Sequence, residues 1–289
     1  MNERGVTAVV LGIMQDGGLP HVGCRCGRCA AAFADARRAE YAACLGIVDG
    51  RGGATAVYLL DAPPDIKYQL NLLADWLPHP QRPARLRPPD AIFLTHAHMG
   101  HIGGLPQLGP EAMAVRDLPV YALPGVVNLL RGNDLYRPLN AGLRWRTLEP
   151  HRPITLAADL TITPIPVPHR DEWGVGTLAF RVQGPQRSLL YLPDIDNWAA
   201  WPEAARVLDG VDVALVDGCF YSVAELNGRP PVAHPLIPDT LARFANIPGQ
   251  LVLTHLNHTN PALDEDSAAR VEIAAAGAQL AFTGQTFKL

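Results

Sequence analysis

Nowhere does this sequence stay apolar for the roughly 18 residues that a membrane-spanning helix needs, so no membrane partner is expected. Charge is sparse too: 18% of the 289 residues are Asp, Glu, Lys or Arg, and the net charge is −4. Nucleic-acid binders usually present a dense basic face, and no such run of Lys and Arg occurs here. Arg82, Arg85 and Arg87 cluster, but among prolines, where a solvated loop accounts for them. Nucleic acid is therefore not an expected partner either. No secretory leader is expected either: residues 1–5 are polar, and the apolar run 6–13 is short, with no small-residue cleavage site behind it. The cytoplasm is the expected compartment. Cysteine is scarce and odd in number, five in all, which speaks against a disulfide framework.

What is present is an ordinary globular composition, 48% hydrophobic, on a chain long enough for a sizeable core. Strand-like apolar runs recur at 7–11, 56–60, 91–94, 160–167, 178–182, 188–192, 213–216 and 250–254. Helical periodicity lies between several of them, at 66–76, 198–207, 238–244 and 265–276. Intermixing of this kind favours a layered α/β fold over separate all-α and all-β parts. The proline-rich segment 77–90 reads as a loop, and residues 1–289 are expected to form a single domain.

The ends of these strands carry the chemistry. The run at 91–94 leads through Thr95 into His96, and 160–167 leads into Pro168 and His169. Likewise 188–192 leads into Pro193 and Asp194, and 250–254 into His255. Four apolar strands thus deliver a metal-competent side chain at the carboxyl edge, where α/β architectures place their sites. The densest stretch is His96-Ala97-His98-Met99-Gly100-His101, three histidines in six residues. Neutral imidazole is a good ligand for divalent metals. His96 and His98 can converge on one ion while His101 reaches a neighbouring one. Nearer the start, Cys24, Cys26 and Cys29 put three thiols within six residues. Such a set suits a structural zinc but needs a fourth ligand, and His21 is the local candidate. Cys44 and Cys219 have no partner at ligand spacing and read as small core residues.

A strand followed by this histidine pattern resembles the metallo-β-lactamase superfamily, whose signature is His-x-His-x-Asp-His. The resemblance covers nearly the whole chain. Within the superfamily, the sequence is most similar to the pyrroloquinoline quinone biosynthesis protein B family and to the cyclic-phosphate phosphodiesterases of carbon–phosphorus lyase pathways. Both begin with a strand, a Gly-rich loop and Cys-x-Cys-x-x-Cys, here Val10 to Leu11, Gly17-Gly18 and Cys24-Arg25-Cys26-Gly27-Arg28-Cys29. The protein B family is also similar around Thr254-His255-Leu256-Asn257-His258-Thr259-Asn260-Pro261.

The resemblance implies the α/β, four-layer αββα sandwich of that superfamily and a two-metal site. It implies His96, His98 and His169 on one metal, His101 and His255 on a second, and Asp194 bridging them. Asp194 is preferred to Asp196 because it falls first after its strand. Gly100 is a departure: the superfamily aspartate at this position ligates the second metal, which is left with His101, Asp194 and His255. Replacing Gly100 by Asp is accordingly expected to raise occupancy there, provided the side chain fits. The same carry-over makes His258, rather than His21, the fourth ligand of the cysteine zinc. Asp61, closing the strand 56–60, resembles the acidic residue that supports the metal ligands, so its role would be to orient a histidine.

The implied cofactors are one structural Zn2+ and one or two divalent metals, Zn2+, Mn2+ or Fe2+, in the active site. The implied activity is metal-dependent hydrolysis of a small phosphodiester or ester, with Asp194 at the catalytic centre. His234 is expected to protonate the leaving group, because related phosphodiesterases and tRNA-processing nucleases have a histidine in this region near the scissile group. Two readings stand beside it, an iron-dependent oxidative enzyme of the protein B type and a non-catalytic metal-bound accessory protein. A histidine set fuller than that of protein B members favours hydrolysis. Gln15 and Asp16 fall in a loop expected to flank the site, although an Asp before Gly17-Gly18 is explained by a turn alone. Arg170, Asp171 and Glu172 read as an exposed charged loop. The expected partners are a small-molecule substrate and, at most, a second copy of the chain in a homodimer.

Overall fold

The computed structural model describes residues 5–231 and 233–289, which form two seven-stranded sheets. The first half of the chain supplies β1 (Val6–Gly12), β2 (Cys44–Asp49), β3 (Ala56–Leu60), β4 (Ala91–Phe93), β5 (Leu118–Ala122) and β6 (Leu143–Thr147). The second half supplies β7 (Ile154–Ala157), β8 (Leu160–Val167), β9 (Thr177–Gln183), β10 (Ser188–Leu192), β11 (Val213–Asp217), β12 (Gln250–Thr254) and β13 (Gln279–Leu280). Finally β14 (Thr286–Lys288) returns to pair with β1. The strand orders are β14-β1-β2-β3-β4-β5-β6 and β13-β12-β11-β10-β9-β8-β7.

The pleat of β1 shows how the layers form. Every residue of β1 is buried, because alternate side chains serve different cores. Ala8 and Val10 pack between the sheets, while Val9 and Leu11 pack under the helices Ile66–Leu72 and Pro124–Gly132. β3 and β4 divide the same way, with Tyr58, Leu60 and Phe93 inward and Val57, Leu59 and Ile92 outward. On the far side, Ala204–Asp209, Ile237–Arg243 and Ala268–Ala275 cover the second sheet. This is the four-layer αββα sandwich that the resemblance implied. Phe93 joins the two sheets, stacked on Tyr121 and edge-on to Phe180 at 6.0 Å. Truncating such a buried Phe to Ala costs about 3–5 kcal/mol.

Strand direction then places the site. β1 and β3 both pair antiparallel with β2, and β4 runs parallel to β3, so all three point one way. In the other sheet β8 and β10 are both antiparallel to β9, and β11 and β12 follow β10 in parallel. The carboxyl ends of these strands line one edge of the sandwich.

Two of the expected helices are broken into shorter pieces. The run 198–207 is a 3-10 turn, Trp198–Ala200, followed by a separate helix, Ala204–Asp209. Pro202 lacks an N–H and drives Trp201 out of helical backbone. The run 66–76 stops at Leu72 and continues as a 3-10 turn, Ala74–Trp76. Among the described residues no helix is long and apolar enough to cross a membrane.

Candidate metal centre

Six of the strands pointing at this edge end in polar chemistry. Asp61 follows β3, Thr95 and His96 follow β4, His169 follows β8, Asp194 follows β10, Asp217 closes β11 and His255 follows β12. Asp61, His234 and His255 have φ of +72°, +68° and +59°, a left-handed backbone that residues other than glycine adopt rarely. Strain of this kind persists only where neighbours hold it. At His255 the hold is direct: Leu256 N donates to Ile13 O at 2.7 Å, and Gln15 N donates to Leu256 O at 2.9 Å.

Two groups of donors share Asp194. In the first, His98 Nδ1 lies 2.9 Å from His96 Nε2 and 3.3 Å from His169 Nε2. In the second, His101 Nε2 lies 3.0 Å from Asp194 Oδ2, and His255 Nε2 lies 3.4 Å from Asp194 Oδ1. Asp194 Oδ1 is also 3.7 Å from His169 Nε2, so the carboxylate stands between the groups. An ion bound at 2.0–2.1 Å spaces tetrahedral ligands about 3.4 Å apart, and the observed separations bracket that value. The atoms His101 Nε2, His255 Nε2 and Asp194 Oδ2 are buried and, although they approach one another, make no well-directed hydrogen bond among the described residues. Each such atom costs about 1–3 kcal/mol when nothing satisfies it. Bare nitrogens and oxygens converging in this way fit divalent cations.

The rings are aimed by their other nitrogens. His101 Nδ1 lies 2.7 Å from Asp61 Oδ2, and Asp61 Oδ1 accepts from Thr95 N and Oγ1 at 2.8 and 2.9 Å. His96 Nδ1 faces Thr95 Oγ1 at 3.0 Å, His169 Nδ1 faces Asp196 Oδ1 at 2.9 Å, and His98 Nε2 faces Glu172 Oε2 at 3.0 Å. Burial, reinforced by His101, drives the His96 pKa well below the usual imidazole range and keeps the ring neutral. Burial also works against charge on His101, but Asp61 and Asp194 outweigh it and hold that pKa well above the usual range. The same negative surroundings attract a cation. His234 is buried as well, yet Asp217, 2.7 Å from its Nδ1, pushes its pKa up to about 9.

His96, His98, His101, His169, Asp194 and His255 therefore meet at one place, with Asp61 behind His101 and His234 Nδ1 4.0 Å from Asp194 Oδ1. Asp196, passed over in favour of Asp194, lies behind His169. Glu172 is exposed, in keeping with a charged loop, but it also reaches His98. Cys219 is buried, as expected of a small core residue, and its Sγ lies within 4.8 Å of donor nitrogens of His234 and His255 at the border of the site. Two carboxylates are not among the ligands expected from the sequence, although Asp16 was expected to lie in a loop flanking the site. Asp217 ends β11 one residue past the apolar run and obeys the same strand-end rule as the others. Asp16 Oδ1 sits 3.5 Å from His101 Nε2 and 3.9 Å from His255 Nε2, in the loop expected to flank the site.

A second cluster lies close by. The Sγ atoms of Cys24, Cys26 and Cys29 are 3.8, 3.9 and 3.6 Å from His258 Nδ1. Tetrahedral zinc with its usual Zn–S and Zn–N lengths puts S and N about 3.6 Å apart. His21 offers the cluster its backbone, N donating to Cys29 Sγ at 3.4 Å, while its Nδ1 faces Val22 O at 3.1 Å. Arg28 fastens the far side, donating to His258 O and pairing with Asp264 at 2.8 Å.

A two-sheet sandwich whose strand ends gather histidines around a shared aspartate defines a metallo-β-lactamase fold, and the chain belongs to the beta-lactamase superfamily, whose domain matches residues 57–284. Its sequence is 29% identical to coenzyme PQQ synthesis protein B of Methylobacterium sp. strain 4-46, covering 98% of this chain and 99% of that protein. Among solved structures it is similar to Zn2+-bound PqqB from Methylobacterium extorquens, with TM-score 0.83, 24% identity and coverage of 98% and 100%. It is also similar to a diphosphatase of the PhnP family, with TM-score 0.70, 22% identity and coverage of 98% and 97%.

Proposed function

We propose that this chain is a metal-dependent hydrolase that cleaves a small phosphodiester or ester, acting as a single domain in the cytoplasm. One divalent cation would be held by His96, His98 and His169, a second by His101 and His255, with Asp194 shared. The observation that carries this reading is Asp194, a carboxylate 3.7 Å from His169 Nε2 through Oδ1 and 3.0 Å from His101 Nε2 through Oδ2. When bound, such cations acidify water and polarise a phosphoryl or carbonyl oxygen.

The chain's own residues supply the rest. Asp217 accepts from His234 Nδ1 at 2.7 Å, which leaves Nε2 as the atom that delivers a proton to the leaving group. General acid catalysis of this kind contributes about 10²–10⁴-fold. Asp61, Thr95 and Asp196 fix the ring orientations, so the donors are ordered before substrate arrives. Cys24, Cys26, Cys29 and His258 would hold one structural zinc and clamp the first loop to the turn that carries His255.

The likeness to coenzyme PQQ synthesis protein B over 98% of the chain favours a second reading, an iron-dependent oxidative step in coenzyme synthesis. One experiment separates the two. Protein purified without oxygen is loaded with Zn2+, Mn2+ or Fe2+ and given bis(p-nitrophenyl) phosphate and p-nitrophenyl acetate. Cleavage that requires cations beyond the cysteine-held zinc and is indifferent to dioxygen is expected. Dioxygen uptake with Fe2+ and no cleavage of either ester would contradict the hydrolase.

A further inference from the structure

Gly100 stands four residues after His96, where the superfamily signature has an aspartate. Its side-chain space is already taken. A Cβ on Gly100 would lie 2.0 Å from Asp16 Oδ1, 2.6 Å from Asp16 Cγ and 2.5 Å from Asp16 Cα. No side chain fits at 100 unless the loop carrying Asp16 moves. Asp16 Oδ1 is itself buried and has no hydrogen-bond partner among the described residues. A residue serving only a turn would spend that oxygen on a backbone N–H. Instead it forms, with His101 and His255, a set of donors all within 4.8 Å of one another. The loop is held in place: Met14 bridges to both Ala42 and Leu256, and Gly18 N donates to Gln15 O at 2.8 Å.

We propose that Asp16 is the fourth protein ligand of the second cation, and that Asp16 and Gly100 are an exchanged pair. The signature's carboxylate has moved from the segment after β4 to the loop after β1, and glycine at 100 makes the room. This rests on reading the donors as a two-cation centre, not on the reaction catalysed there. It corrects two expectations from the sequence. The second site has four protein ligands rather than three, and Gly100→Asp drives a side chain into Asp16 instead of raising occupancy.

The test counts metal and measures its affinity, using Zn2+ in competition with a chromophoric chelator alongside elemental analysis. The unaltered chain is expected to bind three ions, one at the cysteines and two at the centre. Asp16→Ala is expected to lose one centre ion, its Kd rising by more than about 100-fold, beyond the 10–100-fold that loss of an outer partner costs. Asp16→Asn keeps the shape and is expected to weaken the same ion, which keeps the test open if the alanine variant does not fold. Gly100→Ala alters no donor, yet it is expected to weaken that ion too by displacing Asp16. The cysteine-held zinc and the thermal melt report folding in every variant. Three ions at unchanged affinity in Asp16→Ala or Asp16→Asn overturn the proposal, and a loss within 10–100-fold makes Asp16 an outer partner and overturns it as well. An unaltered chain that binds only the cysteine-held ion would instead contradict the two-cation reading.

Discussion

The cysteine cluster and the histidine–carboxylate centre flank one short turn, yet they are built differently. The cysteine cluster gathers four donors, three sulfurs and one imidazole, and supports the sulfurs with backbone N–H groups of His21 and Cys26 at 3.4 Å. Cys26 is exposed, and no carboxylate is among the donors. The other centre has more donors than one ion can take, all but His98 and Asp16 buried, and its rings are backed by Asp61, Thr95, Asp196 and Glu172. Three thiolates and an imidazole are the donor set of a closed structural zinc, whereas histidines with carboxylates are the donor set of catalytic sites, which expand their coordination to take water. Proximity in the fold is no guide to role; the donor set and its backing are.

The largest expected effect tests the structural half of that contrast. Structural zinc contributes on the order of 10 kcal/mol, so Cys26→Ser should lose the tightly held zinc and lower Tm by roughly 10 °C or more. An unchanged melt with full zinc would erase the distinction. The next tests the catalytic half. His234→Gln should reduce kcat by about 10²–10⁴-fold with metal content and Tm unchanged, and Asp217→Asn should move kcat the same way by less. Loss of metal in either variant would make His234 a ligand rather than a proton donor. The smallest effect concerns the backing. Asp61→Asn should weaken metal binding at the histidine centre by about 10–100-fold while the cysteine-held zinc stays, as elemental analysis before and after mild chelation would read out. If the tight zinc falls too, the two clusters are coupled.

Much of the fold was legible because doubly buried strands read as continuous apolar runs. β3, β8, β10 and β12 fall on the residues expected. β6 was not legible: Leu143-Arg144-Trp145-Arg146-Thr147 is an edge strand with one buried residue. Pro119 disguised β5 and Gly46 interrupted β2. At the site, His96, His169, Asp194 and His255 showed themselves at the ends of strands, and His98 and His101 through their spacing after His96. Asp16, expected only to flank the site, and Glu172, read as exposed loop, did not show as partners of the histidines, which lie 85 and 74 positions away along the chain. Local sequence reports which residues end a strand; it does not report which loop folds back to meet them.

The most direct test of the two-centre account uses His255 and His258, three residues apart. β12 and the left-handed turn at His255 aim that ring at Asp194, 3.4 Å away, while His258 Nδ1 lies 3.6 Å from Cys29 Sγ. Metal content, thermal melts and turnover of His255→Ala and His258→Ala should give crossed results. His255→Ala should lose turnover and a loosely held ion while keeping the tight zinc and most of the stability. His258→Ala should lose the tight zinc and stability, with activity falling only in step with folded protein. Identical losses in the two variants would contradict the account and leave a single metal site.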